Sequence, residues 1–302
     1  MPGTCEHVRV DPPDWFTTAI AIRPDDLTVD VDDARVHYRG WGAPDHPGLV
    51  LVHGGAAHSG WWDHIAPLLS DEYRVVALDL TGHGDSDRRA GYDLGAWARE
   101  VVAVAADAQF PGPPIVVAHS MGGWVGMTAA ADHGDDLSGL ILLDSMVRRP
   151  DPEEEAHRVG AAFGPLRTYP SLEDALSHFR TVPDQPTSLP YVIDHVARGS
   201  LRRVEGGWSW KFDPRIFERR AVPPGDLLRR IRSRVALFRS EHGLVSRDIG
   251  QYMYEQLGRV APIVEVPLAW HHVMLDQPIA LVTGLRALLA DWEHSTPHRR
   301  AG

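Results

Sequence analysis

Ser120 lies in the stretch Ile115–Val125, IVVAHSMGGWV, where β-branched residues lead in and a helix-compatible run leads out. Small residues flank it, Ala118 before and Gly122 and Gly123 after. This order predicts a strand that turns sharply into a helix and holds one side chain at the apex in a strained conformation; bulky neighbours would collide across so tight a bend. A hydroxyl presented in this way is suited to nucleophilic attack. Acyl transfer also needs a base to take its proton, an acid to orient the base and donors for the oxyanion. Candidate bases are the adjacent His271 and His272, and candidate acids are Asp144, Glu241 and Asp248. Nothing at ligand spacing accompanies the histidine pair, so neither a metal nor a cofactor is expected.

The elbow has the form G-x-S-x-G with alanine in the first glycine position, and it resembles the nucleophile elbow of the α/β-hydrolase family. The chain order of nucleophile, acid and histidine is also that of this fold. Three more stretches carry the resemblance. His53-Gly54-Gly55 follows an apolar run, where the family places an oxyanion loop; by position the N–H of Gly55 is one donor, and that of Met121 is the second, aided by the positive end of the following helix. Asp79-x-x-Gly82-His83-Gly84-x-Ser86 matches an architectural turn of the family, which makes His83 structural. Pro267–Pro278 is similar to the loop that carries the base, and counting from Pro267 gives His271, with Trp270 replacing the usual glycine and His272 as the neighbour to test next.

The acid departs from the common pattern. Most members carry an aspartate after the strand corresponding to Val235–Phe238, and Gly243 occupies that position here. Haloalkane dehalogenases and some lactone hydrolases of this fold take the acid from the end of the strand following the elbow, where Asp144 stands. Asp144 is therefore the expected acid, with Glu241 as the alternative and Asp248 further along.

These residues require strands to end beside one another. The resemblance implies an α/β fold: a mostly parallel central sheet flanked by helices, with a helical cap inserted after the strand that follows the elbow. Continuous apolar runs at Leu49–Val52, Arg74–Leu80, Leu137–Leu143 and Val235–Phe238 suit strands buried on both faces. Leu27–Tyr38 and Pro262–Val266 also read as strands, and His58–Leu69, Leu94–Ala108, Gly123–Ala131, Ile249–Leu257 and Ile279–Trp292 as helices. Residues 1–146 and 225–302 are assigned to the core, with 1–20 as a loosely attached arm and 295–302 as a tail. Residues 147–224 break the rhythm with charge-rich helical pieces (Asp151–Val159, Ser171–Arg180, Tyr191–Leu201), prolines and aromatics, and are assigned to the cap. Gly54, His58 and Trp61 near the oxyanion loop, Trp208 and Trp210 in the cap, and Trp270 beside the base are candidates for lining the substrate site.

Composition bounds the partners. The 302 residues carry a formal charge of -11, which argues against nucleic acid or an anionic membrane as a standing partner. A single cysteine, Cys5, excludes an internal disulfide. No apolar run reaches the ~18 residues of a membrane helix and no signal-peptide core opens the chain, so a cytoplasmic protein acting on a small molecule is expected. A serine nucleophile favours esters, thioesters or lactones, and the aromatic cap favours an apolar one. Carbon–carbon bond hydrolysis and cofactor-free perhydrolysis use the same residue set. A receptor-like member that binds a ligand with little turnover is the alternative of another class.

Overall fold

The computed structural model describes residues 11–147, 166–218 and 224–295. Among these, eight strands form one sheet. They are β1 (Asp25–Val31), β2 (Ala34–Trp41), β3 (Gly48–Val52), β4 (Arg74–Leu78), β5 (Ile115–His119), β6 (Gly139–Leu143), β9 (Arg234–His242) and β10 (Ile263–Trp270), in the order β1-β2-β4-β3-β5-β6-β9-β10. β1 and β2 form a hairpin, β2 pairs antiparallel to β4, and every later pairing is parallel.

The apolar runs become strands because both faces of the sheet are covered. Val50 and Val52 of β3 point into one core cluster, while Leu49 and Leu51 point into the other. β6 divides in the same way, with Leu140 and Leu142 on one side and Ile141 and Leu143 on the other. The first cluster is closed by α2 (Leu94–Asp107) and α3 (Met121–Asp132), the second by the C-terminal helix Pro278–His294. Each strand side chain so buried contributes ~1.5–3 kcal/mol from removal of apolar surface from water.

Three local expectations differ. The stretch Leu27–Tyr38 is two strands, because Asp32 takes a left-handed conformation (φ 54°) and reverses the chain. His58–Leu69 forms two short 3-10 turns, Ser59–Trp62 and Ala66–Leu68, rather than one helix; Pro67 cannot donate to a continuous helical ladder. The N-terminal segment is not wholly a loose arm. Residues Asp14–Ala21 form α1, whose Phe16 is buried and meets Tyr191 edge-on at 4.8 Å.

Within the segment expected to form the cap, α4 (Leu172–Ser177) and α5 (Pro190–Gly199) are followed by an antiparallel ribbon of β7 (Leu201–Val204) and β8 (Gly207–Trp210). The described part of the insertion is thus helical with a ribbon added. The helical piece Asp151–Val159 and the tail beyond residue 295 lie outside the described residues. The architectural turn is built around Asp79, whose carboxylate accepts from Ser59 N–H (2.5 Å), Asp85 N–H (2.9 Å) and the His37 ring (2.7 Å). His83 is buried within this turn, and burial holds its pKa well below the ordinary value.

Candidate active site

Parallel strands deliver their C-terminal ends to one edge of the sheet, and the predicted residues sit there. Ser120 follows β5, Asp144 follows β6, the loop 242–245 follows β9 and His271 follows β10. In register, His119 pairs with Leu143 and Leu143 with Phe238, so the next residues of each strand are neighbours. Backbone bonds continue the alignment: Ser120 N–H donates to Leu143 O (3.1 Å) and Asp144 N–H to Phe238 O (2.8 Å). Crevices of this kind, beyond the carboxyl ends of an open parallel sheet, are where ligands bind.

The turn at Ser120 is as sharp as its neighbours demanded. Its φ of 53° and ψ of -122° lie outside the helix and strand regions, and the helix α3 starts at the next residue. A Cβ on Gly122 would sit 2.3 Å from His53 O, and one on Gly123 would sit 2.0 Å from Ser145 Oγ. Only glycine lets the elbow approach β3 and the β6 terminus this closely.

The elbow serine, the loop histidine and one carboxylate form a continuous chain. Ser120 Oγ lies 2.9 Å from His271 Nε2, and His271 Nδ1 lies 2.7 Å from Asp144 Oδ2. An ionised carboxylate only accepts, so His271 Nδ1 carries the hydrogen and Nε2 presents its lone pair to the serine hydroxyl. Asp144 also accepts from Leu244 N–H (2.7 Å) and Val245 N–H (3.1 Å). Burial works to raise its pKa, but the imidazole and the two amides outweigh burial and hold the carboxyl below its ordinary value.

Glu241 is elsewhere: exposed, with its carboxylate accepting from Leu268 N–H at 2.8 Å. Asp248 is exposed in the first turn of the helix Arg247–Gln256. The vacancy at Gly243 has a direct cause, since an added Cβ would lie 2.3 Å from Asp144 Oδ2. The carboxylate from β6 fills the space that a side chain after β9 would need.

Gly54 and Gly55 follow β3, which pairs with β5. A Cβ on Gly54 would lie 3.2 Å from Ser120 Cβ; one on Gly55 would meet Phe217 Cε1 at 3.3 Å and Met121 Sδ at 3.7 Å. The loop therefore runs alongside the elbow, where the first N–H groups of α3 have no intrahelical acceptor.

The other lining candidates do not gather at Ser120 among the described contacts. His58 is buried and joins the core to the insertion. Its Nδ1 accepts from Gly60 N–H (3.1 Å), its Nε2 donates to Ser200 Oγ (3.0 Å), and that hydroxyl donates to Val196 O (2.7 Å). Burial lowers its pKa to about 4, so it is neutral. Trp61 lies edge-on to His272 at 5.4 Å. Trp208 pairs through its backbone with Tyr169 (2.8 Å), and the Trp210 ring packs on Tyr169 and Phe179. The Trp270 ring lies tilted against His242 at 5.1 Å, and the Trp270 backbone N–H donates to the Asp276 carboxylate at 2.7 Å.

Sequence reasoning missed His119 and the amides of Leu244 and Val245, and placed Phe217 only among the aromatics of the cap. His119 donates from Nε2 to His271 O at 3.0 Å, tying the elbow to the histidine loop. Phe217 stands beside Gly55, and the amides of Leu244 and Val245 cradle Asp144. The available signals were the position of His119 directly before the serine and that of Phe217 in the aromatic cluster of the cap; backbone amides leave none.

Comparison with known proteins agrees with this architecture. A model of the alpha/beta hydrolase family matches residues 49–284. Over 97 residues the chain is 37% identical to a pimeloyl-[acyl-carrier protein] methyl ester esterase of Methylococcus capsulatus, covering 32% of this chain and 36% of that protein. Over 113 residues it is 40% identical to lipase LipV of Mycobacterium tuberculosis, covering 37% and 42%. The chain thus matches less than half the length of either relative. Among solved structures, E-2-(acetamidomethylene)succinate hydrolase superposes with a TM-score of 0.78 at 20% identity, covering 89% of this chain and all of that one. No described helix is long and apolar enough to cross a membrane. With the family match extending from β3 into the C-terminal helix, the chain belongs to the alpha/beta hydrolase family.

Proposed function

We propose that this chain is a serine hydrolase that cleaves an ester, thioester or lactone of a mainly apolar small molecule through an acyl-enzyme. The observation that carries the reading is the unbroken chain from Asp144 through His271 to Ser120, at 2.7 Å and 2.9 Å. Ser120 Oγ attacks the carbonyl carbon while His271 Nε2 takes its proton. Asp144 keeps the imidazole in the required tautomer and stabilises the imidazolium that forms. The oxyanion is received by the N–H groups of Gly55 and Met121, with the positive end of α3 behind the second. His271 returns the proton to the leaving group, and water then attacks the acyl-enzyme by the reverse path.

Residues 147–224 act as the lid over a core formed by 1–146 and 225–302. Phe217 beside Gly55 and the apolar Met121 side chain favour an apolar acyl or leaving group. The methyl ester esterase and lipase relatives support ester chemistry. Release from p-nitrophenyl esters of graded chain length tests the reading. Turnover abolished by Ser120→Ala is expected; turnover that survives this change, or ligand binding with no turnover in the unaltered chain, overturns it.

A further inference from the structure

Three histidines converge behind the elbow from distant parts of the chain. The His271 ring lies 4.7 Å from that of His272 and 4.8 Å from that of His119, and His119 and His272 are 5.5 Å apart, centroid to centroid. One ring nitrogen from each falls within 4.8 Å of the others. All three rings are buried.

Their nitrogens are not equally committed. His119 spends Nε2 on His271 O, which leaves the Nδ1 lone pair; that atom faces the Gly54 loop, 3.0 Å from where a Gly54 Cβ would be. His271 Nε2 carries a lone pair shared with the Ser120 hydroxyl. The His272 ring is held to no side chain among the described residues; its only hydrogen-bonding neighbours there are the backbone carbonyls of Val182 and Pro183, and a neutral imidazole that donates to them keeps a lone pair on its other nitrogen.

We propose that His119, His271 and His272 form a trihistidine site for a borderline transition cation such as Zn²⁺ or Cu²⁺, and that occupancy silences the nucleophile by withdrawing His271 from Ser120. Neutral imidazoles suit these ions, whereas Mg²⁺ and Ca²⁺ require oxygen ligands. Bonds of about 2.0–2.1 Å to each nitrogen require the three ligand atoms, now within 4.8 Å of one another, to draw closer together. The imidazole nitrogen lone pairs become metal bonds, Ser120 keeps its proton, and a water completes the coordination. The second acidic-histidine group, His37 with Asp79 and Asp85, differs in kind: the Asp79 carboxylate is already engaged by Ser59, Asp85 and His37. The binding claim stands on the histidine geometry alone; the silencing claim rests on the acyl-transfer reading.

Calorimetric titration of the full, tag-free chain with Zn²⁺, alongside the visible absorption of added Co²⁺, tests the site directly. One strong site per chain is expected, weakened about 10-fold or more in His272→Phe, with Mg²⁺ giving no heat. At full Zn²⁺ occupancy, labelling of Ser120 by a fluorophosphonate should stop and should resume after chelation. His119 bridges β5 and β10, so His119→Phe can fail to fold; His272→Phe and the Co²⁺ spectrum do not depend on it. Strong binding unchanged in a folded His272→Phe, or no stoichiometric site in the unaltered chain, overturns the site. Labelling that continues at full occupancy overturns the silencing. Absence of labelling without any metal would instead count against the acyl-transfer reading and leaves the titration interpretable.

Discussion

Asp144 and Gly243 share one space: the carboxylate that emerges after β6 occupies the volume into which a side chain at 243, after β9, would project, with an added Cβ only 2.3 Å from Oδ2. The Asp144 carboxylate meets His271 Nδ1 at 2.7 Å, and a side chain added at 243 would enter the volume beside that contact. Asp144→Asn should lower kcat about 10³–10⁴-fold by presenting the wrong donor to the imidazole. Asp144→Ala combined with Gly243→Asp should recover at least part of that loss in ester turnover. Gly243→Asp alone should be destabilised, because two carboxylates cannot share the site. Full activity in Asp144→Asn would contradict the assignment.

Glu241→Gln should leave kcat within a few-fold of the unaltered chain. Its carboxylate holds Leu268 N–H at the surface, and the amide oxygen of glutamine can do the same. A drop as large as that of Asp144→Asn in steady-state assays would return Glu241 to the triad.

Much of the fold was readable before any coordinates, for a physical reason. Buried parallel strands such as β3 and β6 must be apolar on both faces, and the elbow's glycines are dictated by the 2.0–2.3 Å approaches that an added Cβ would make. What was hidden depended on tertiary company. Asp32 reverses the β1–β2 hairpin with a left-handed backbone that composition does not announce, and Phe16 makes α1 part of the core because Tyr191, His64 and His195, distant in the chain, are there to meet it. His58 looked like a lining residue from its place after the oxyanion loop, but Ser200, far along the chain, takes up its second nitrogen. Asp144, and not Glu241, meets the His271 ring and the β9 loop amides, and amides carry no sequence signature.

Ser200→Ala removes the acceptor for His58 Nε2–H and strands a buried donor where the core meets α5. A loss of about 1–2 kcal/mol in urea denaturation is expected. An unchanged midpoint would mean that the contact is replaced by water at no cost.

Acid should destabilise the fold. The buried rings of His58 and His64 have pKa values lowered to about 4, and His119 to about 3, chiefly by burial. In each case the unfolded chain binds a proton near pH 6.5 that the folded chain refuses, so stability is full above that value and falls with pH down to the folded pKa. For His58 alone the loss is roughly 3 kcal/mol by pH 4. His37 acts in the opposite sense. Its pKa is raised, because the Asp79 and Asp26 carboxylates overcome the opposing effect of burial, so its contribution is present in acid and fades as pH rises. The depressed rings, to which His53, His83 and His272 also belong, outweigh it, and denaturation midpoints should drop between about pH 6.5 and pH 4, less steeply in His58→Gln.

Gly122→Ala should cost about 1–3 kcal/mol and most of the activity, because the new methyl would press on His53 O, a backbone atom that cannot move aside. Thermal unfolding together with ester turnover checks this; an active, equally stable variant would mean that the elbow yields more readily than its contacts imply.

The most direct test of the central claim is the intact mass of the chain after brief exposure to a fluorophosphonate, compared with Ser120→Ala and His271→Ala. One adduct per chain, mapped to Ser120, lost in Ser120→Ala and slowed by orders of magnitude in His271→Ala, is the predicted result. An adduct on another residue, or equal labelling without His271, would show that this imidazole does not activate this hydroxyl.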